Sequence, residues 1–189
     1  MRVHEMIKRY YPQYYSIETY DAENVVRVHK LDEEWGVFSN FAHTPLTVAG
    51  KKYDTSERLY QVMKMATLDA RDAVYNSLKG NPKMVAKRIA KESPELIRSD
   101  WGQIIVDVMK FCLQTKYEQS EEFRNALSLT KGKYIVEDQT SYPKKNADTW
   151  GVKLVDGKYV GPNLLGRLLM ELRDNEGKLE YSLPSDILK

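Results

Sequence analysis

The stretch SDWGQIIVDVMKFCLQTKY, Ser99 to Tyr117, places Trp101, Ile104, Ile105, Val108, Cys112 and Thr115 on one side at three- and four-residue spacing. That spacing predicts a long amphipathic helix, and the flanking sequence supplies further helices to cover it. Upstream, Asp54 is in position to cap a helix whose apolar face is Leu59, Val62, Met63 and Ala66; Asp54-x-x-Glu57 has capping-box spacing. Asn81-Pro82 opens another helix, proline suiting the first helical position, with Val85, Ile89 and Met84 inward. Downstream, Ser120 caps a short helix through Phe123, Ala126 and Leu127. Asn163 to Arg173 is a last helix with Leu164, Leu165, Leu168, Leu169 and Leu172 inward. Strand signals are few: Val25 to Leu31, Leu46 to Tyr53 broken at Ala49-Gly50, and Tyr134 to Glu137. The fold class expected is α+β, mainly α-helical, with roughly six helices and a few short strands. Strands and helices do not alternate as a doubly wound fold requires.

The length of the chain suits one domain and is too short for two of ordinary size. Its 189 residues are 30% charged and 42% hydrophobic with a net charge of +2, a globular and not a disordered composition. No run approaches the roughly 18 apolar residues of a membrane span. The first twenty residues, with Tyr10, Tyr11, Tyr14, Tyr15 and Tyr20, hold no apolar core of a signal peptide and read as an extension packed onto the domain. The expected organisation is an N-terminal extension over 1–24, the domain over 25–177 and a C-terminal tail over 178–189. The single cysteine, Cys112, excludes an intramolecular disulfide, and the default compartment is the cytoplasm. Residues 138–162 form a polar connection of a length that compact domains usually keep for function.

No phosphate loop or dinucleotide glycine motif is present, and His4, His29 and His43 make no metal pair. Neither a metal nor a cofactor is expected. Cys112, on an apolar helix face, reads as a core residue. What remains is carboxylates, aromatics and amides near element ends. Glu57, in a first helical turn, is either a capping-box residue or a carboxylate at the edge of a cleft. Trp101 is either core or a flat ring for a heterocycle. Asp148-Thr149-Trp150-Gly151 is either a turn or a binding segment. Gly166, inside a helix, costs about 1 kcal/mol relative to alanine and marks a close approach of a backbone or ligand. Arg167 shares a helix face with Asn163, as a phosphate ligand or a solvated charge.

These residues, in this order, resemble the NADAR family, whose best-known members are YbiA-like N-glycosidases. Four blocks carry the resemblance. The first is Gly36-Val37-Phe38-Ser39-Asn40-Phe41 with Pro45 and Gly50-Lys51; the second is Thr55-Ser56-Glu57 with Tyr60, Gln61 and Lys64. The third is Asp100-Trp101 with Val108-Met109 and Lys116-Tyr117. The fourth is Trp150-Gly151 with Gly161, Asn163, Leu165-Gly166, Leu168-Leu169-Met170 and Leu172-Arg173. The resemblance implies a compact, mainly helical fold and hydrolysis of N-glycosidic bonds without a metal. It carries over Glu57, Trp101 and an aspartate before Trp150-Gly151 as catalytic. Phe38, Asn40, Phe41, Gln61, Trp150, Gly151, Asn163, Gly166 and Arg167 are expected to bind substrate. The chain departs from the family pattern in three places. Arg58 replaces a histidine, Asp148 stands one residue later than the family aspartate with Ala147 in its place, and Val152 to Val155 replaces a glycine-rich run.

The function expected is hydrolysis of the ribosyl C1′–N bond of a small phosphorylated ribosylamine or nucleotide-like metabolite. Two alternatives stay open. One is removal of ADP-ribose from guanine in nucleic acid, with Lys79, Lys83, Lys87 and Arg88 as a basic face; nucleic acid is then a partner only as modified substrate. The other is a non-catalytic module that binds NAD or ADP-ribose. No membrane partner is expected.

Overall fold

The computed structural model describes residues 1–78, 81–142 and 149–188. In chain order the elements are α1 (Val3–Tyr10), β1 (Glu18–Asp21), β2 (Val25–Val28), β3 (Leu46–Val48), β4 (Lys51–Tyr53), α2 (Ser56–Met63), α3 (Leu68–Tyr75), α4 (Pro82–Glu92), α5 (Trp101–Gln119), α6 (Glu121–Leu129), β5 (Tyr134–Glu137), β6 (Lys153–Val155), β7 (Lys158–Gly161) and α7 (Leu164–Asp174). The fold is α+β and mainly helical. No helix among the described residues is long and apolar enough to cross a membrane. The chain divides into two compact units, Met1–Ser39 with Ser120–Leu179, and Asn40–Gln119 with Glu180–Lys189.

The first unit contains two small sheets. β1, β7 and β6 form an antiparallel sheet in that order, and β2 pairs in parallel with β5. The polar connection over 138–162 therefore contains a hairpin that the sequence reading treats as loop. Val155 pairs with Lys158, and Asp156 and Gly157 at the tip both take positive φ, 47° and 76°. A two-residue turn of this hand matches the strand twist, and Asp-Gly is its usual sequence. Tyr20, Val136, Val152 and Tyr159 pack together as one core cluster. The expected inward leucines of α7 are all buried, and Ser120 caps α6 by accepting from the Phe123 N–H at 3.2 Å.

Residues 1–24 fold into this unit, with Ile7, Tyr11, Tyr14 and Tyr20 buried and β1 serving as a strand of the sheet. The Tyr14 hydroxyl donates to Glu171 at 2.6 Å. Aromatic side chains thus anchor a segment whose own sequence is mostly polar.

In the second unit β3 and β4 form a hairpin turned at Ala49-Gly50, where the sequence suggests one interrupted strand. α5 buries the expected stripe and more: Val106, Met109, Leu113, Lys110 and Lys116 are buried too. The Lys110 ammonium donates to the Glu180 carbonyl at 3.1 Å, which offsets part of the cost of burying it. The C-terminal stretch is held by buried Ile187, by Asp186 paired with Arg98 at 3.2 Å, and by Tyr181 edge-on to Phe111.

Three helix expectations need correction. α2 ends at Met63, so Ala66 lies beyond the helix and is exposed, while Met65 is buried in a bridge to Ile97. In α4 the buried residues are Pro82 and Ala86; Val85 and Ile89 are half-buried and Met84 points outward. The packing there uses the small side chain of Ala86, so hydrophobic bulk alone misjudges the inner face. The third concerns the cap of α2, which bears on the site.

Candidate functional site

Thr55, not Asp54, caps α2: its hydroxyl accepts from the Arg58 N–H at 3.1 Å. This one-residue change removes the capping-box reading of Glu57. A capping-box glutamate stands at the third helical position, and Glu57 occupies the second. Asp54 instead pairs with Arg58 through two hydrogen bonds, at 2.6 and 3.1 Å. The guanidinium holds the Asp54 carboxyl below its usual range, so the stability this pair contributes is lost only as pH falls through that lowered value. Arg58 also donates to the carbonyls of Val74, Tyr75 and Ser77 at the end of α3. A residue that departs from the family's histidine thus closes the C-terminus of a neighbouring helix.

Freed from capping, the Glu57 carboxylate is only 5% exposed and accepts from the Gln61 amide at 2.9 Å. Its backbone N–H donates to the Asn40 carbonyl at 2.9 Å. Asn40 is buried as well. Its side-chain oxygen accepts from the Ser56 hydroxyl at 3.0 Å, and its amide points at the Met109 sulfur of α5 at 3.3 Å. Asn40 therefore pins the first turn of α2, and Gln61 orients the carboxylate from one turn further along.

Tyr60, Gln61 and Lys64 follow Glu57 at three, four and seven residues, so they share its helix face. The Tyr60 ring meets Trp101 at the start of α5 edge-to-face, with centroids 5.2 Å apart. Trp101 is itself 5% exposed. Burial lowers the pKa of Lys64; the charge of Glu57 opposes that shift and the charge of Lys83 adds to it. Phe41, next to Asn40, carries the Lys83 ammonium over its ring at 5.2 Å. Cys112 is fully buried, and burial pushes its thiol well above the usual range, with the Glu57 charge adding to the effect. It is poorly suited to act as a nucleophile.

The second unit thus gathers Asn40, Phe41, Glu57, Gln61 and Trp101. Tyr60 and Lys64 join them without a role assigned from sequence, and their spacing from Glu57 is the signal that places them.

The other expected site residues belong to the first unit. Phe38 is fully buried, stacked on Trp35 and edge-on to Phe123, each at 5.7 Å. The carbonyls of Thr149, Trp150 and Gly151 accept from the N–H groups of Leu164, Leu165 and Asn163, closing the start of α7. Asn163, in the left-handed region at φ 52°, uses its amide on β5: it donates to the Ile135 carbonyl at 2.9 Å and accepts from the Glu137 N–H at 3.1 Å. A Cβ on Gly166 would collide with that same Ile135 carbonyl, so the mid-helix glycine lets β5 and α7 touch. Arg167 donates to the Gln13 carbonyl at 2.7 Å and to the Ser16 hydroxyl at 3.0 Å, and lies over the Tyr14 ring. Asp148 and Lys79 lie outside the described residues. The nearby Asp138 is buried and accepts from the Thr140 N–H and the Tyr159 hydroxyl, with Arg27 3.7 Å away. Among the described residues no three His, Cys, Asp or Glu side chains are grouped to hold a metal.

The NADAR domain family model matches residues 27–175. The chain belongs to the NADAR family. It is similar to N-glycosidase YbiA of Escherichia coli, 32% identical over 153 residues that cover 80% of this chain and 88% of that protein. It is 32% identical over 162 residues to the maize riboflavin biosynthesis protein PYRR, chloroplastic, covering 79% of this chain and 25% of that longer protein. The NMR structure of E. coli YbiA matches with a TM-score of 0.65 at 31% identity, over 81% of this chain and 84% of that one. The NADAR match runs through both units and leaves residues 1–26 outside it.

In this NADAR chain Trp101 is buried against Tyr60, so a substitution there tests packing and binding together. Trp101→Ala is expected to cost about 3–5 kcal/mol of stability and to weaken substrate use. Trp101→Phe keeps an aromatic face and should retain most of both. Melting curves and steady-state kinetics on the two variants check this; an alanine variant that is folded with normal kinetics would remove Trp101 from the site.

Proposed function

We propose that this NADAR protein is a metal-independent N-glycosidase that hydrolyses the ribosyl C1′–N bond of a small phosphorylated ribosylamine or nucleotide-like metabolite. The observation that carries the reading is the Glu57 carboxylate: buried, aimed by Gln61 and Asn40, and on one helix face with Lys64. The names of its relatives, an N-glycosidase and a riboflavin biosynthesis protein, support the reaction class and the kind of substrate.

The reaction breaks C1′–N, leaves the electron pair on nitrogen and adds water to C1′ through an oxocarbenium-like transition state. Glu57 stabilises the positive charge that develops on the sugar, or takes a proton from the attacking water. The departing nitrogen needs a proton. Lys64 is a suitable donor, because burial makes its ammonium release a proton more readily than an ordinary lysine does. Trp101 and Phe41 offer aromatic faces for the heterocycle. Asp148, carried over by the family motif, is assigned as the second carboxylate.

The test is release of free base from a panel of ribosyl–nitrogen compounds, run with and without a strong chelator. Turnover of a phosphorylated ribosylamine at the same rate in both conditions is expected. Loss with chelator and recovery with a divalent ion would contradict the metal-free chemistry. ADP-ribosylated oligonucleotide belongs in the panel because Lys83, Lys87 and Arg88 are all exposed on α4, as a basic face toward nucleic acid would need.

A further inference from the structure

Lys83 stands in the first turn of α4 with its ammonium over the Phe41 ring. Phe41 follows Asn40, and Asn40 is hydrogen-bonded to both Ser56 and the Glu57 N–H. This chain of contacts brings Lys83 to the edge of the face that carries Glu57, Gln61 and Lys64. The charges acting on Lys64 are one carboxylate, Glu57, and one ammonium, Lys83. Among the described residues neither lysine forms an ion pair. Lys64 thus feels one carboxylate and a second ammonium, and that second ammonium lies over the exposed ring of Phe41, where an anion would meet positive charge open to solvent. The other cation considered for a phosphate, Arg167, has its guanidinium engaged by Gln13, Tyr14 and Ser16.

We propose that Lys83 binds the phosphate of a phosphorylated ribosyl ligand and is the residue through which this site selects phosphorylated over unphosphorylated sugars. The identity of that ligand as a substrate rests on the N-glycosidase reading; the binding itself does not. A phosphomonoester and a pyrophosphate present the same anionic oxygens, and the choice of probes separates them.

The experiment is calorimetric titration of the full chain and its Lys83→Ala, Lys83→Arg and Lys91→Ala variants with ribose 5-phosphate and with ADP-ribose. Lys83→Ala is expected to bind the matching compound at least about tenfold more weakly, the worth of one charge-assisted hydrogen bond. Lys83→Arg should restore most of the affinity, and Lys91→Ala, an exposed lysine in the last turn of the same helix, should leave it unchanged. A loss confined to ribose 5-phosphate identifies a monoester subsite, and one confined to ADP-ribose a pyrophosphate subsite. Unchanged binding in Lys83→Ala, an equal loss in Lys91→Ala, or no binding of either compound to the parent protein at millimolar concentration would overturn the proposal. Phosphate-dependent binding through Lys83, with no turnover of any ribosyl–nitrogen compound, would leave the proposal standing and remove the N-glycosidase reading. Turnover with unchanged binding in Lys83→Ala would do the reverse.

Discussion

Glu57→Gln is expected to lower kcat by about 10²–10⁴-fold while the protein melts near its original temperature. The amide has almost the volume of the carboxylate, and its oxygen can still accept from Gln61. The Thr55 cap and the Asn40 carbonyl bond to the backbone of residue 57 do not involve the side chain that changes. The variant removes one feature, the negative charge. A second readout follows from Lys64. The Glu57 charge opposes the downward shift that burial imposes on that lysine, so removing it lets the lysine titrate at lower pH still. Any residual activity that needs the Lys64 proton should therefore fall off at lower pH in Glu57→Gln than in the parent. Full activity with a small loss of stability would return Glu57 to a purely structural role.

Asp148→Asn is expected to reduce kcat by orders of magnitude with little change in melting temperature. The family aspartate falls where this chain has Ala147, and no other acidic residue lies between Asp138 and Asp156. A one-residue offset can be absorbed in an irregular segment, where in a helix or strand it would redirect the side chain. Asparagine forms the same Asx turn as aspartate without the charge, so the substitution distinguishes a turn former from a carboxylate that stabilises a ribosyl cation or positions water. Near-normal turnover would move attention to Glu137 or Asp138. Of these, Asp138 already accepts from Thr140 and Tyr159 with Arg27 beside it.

The legible parts of the fold are those written in local periodicity. α5, α6, α7 and β5 follow from apolar spacing and caps that lie within a few residues of one another. β1 was not legible because its partner β7 stands far along the chain. The β6–β7 hairpin did carry a local signal, Asp156-Gly157, inside a segment whose polarity hides it. For the site, motif order collects Asn40, Phe41, Glu57, Gln61 and Trp101, which fold into one unit. The sequence places the cap at Asp54, and the structure places it one residue later at Thr55. The difference lies in Arg58, whose guanidinium draws the Asp54 carboxylate to itself and leaves the helix N–H to the threonine. Lys64 was not legible as a perturbed group, since burial comes from packing that no local pattern displays. Asn163 and Gly166 show the opposite case. Their motif positions read as binding residues, while their atoms meet β5, one by hydrogen bonds and the other by the absence of a Cβ.

The central claim is that a buried, oriented carboxylate cleaves a ribosyl–nitrogen bond. The most direct measurement is the rate of free-base release, by chromatography, from one phosphorylated ribosylamine, for the parent protein and Glu57→Gln side by side, with occupancy of each measured in the same solution. Steady release by the parent is expected, with a Glu57→Gln protein that fills with substrate and releases at least about a hundredfold less base. Equal rates at equal occupancy, or binding by both without release by either, would contradict it.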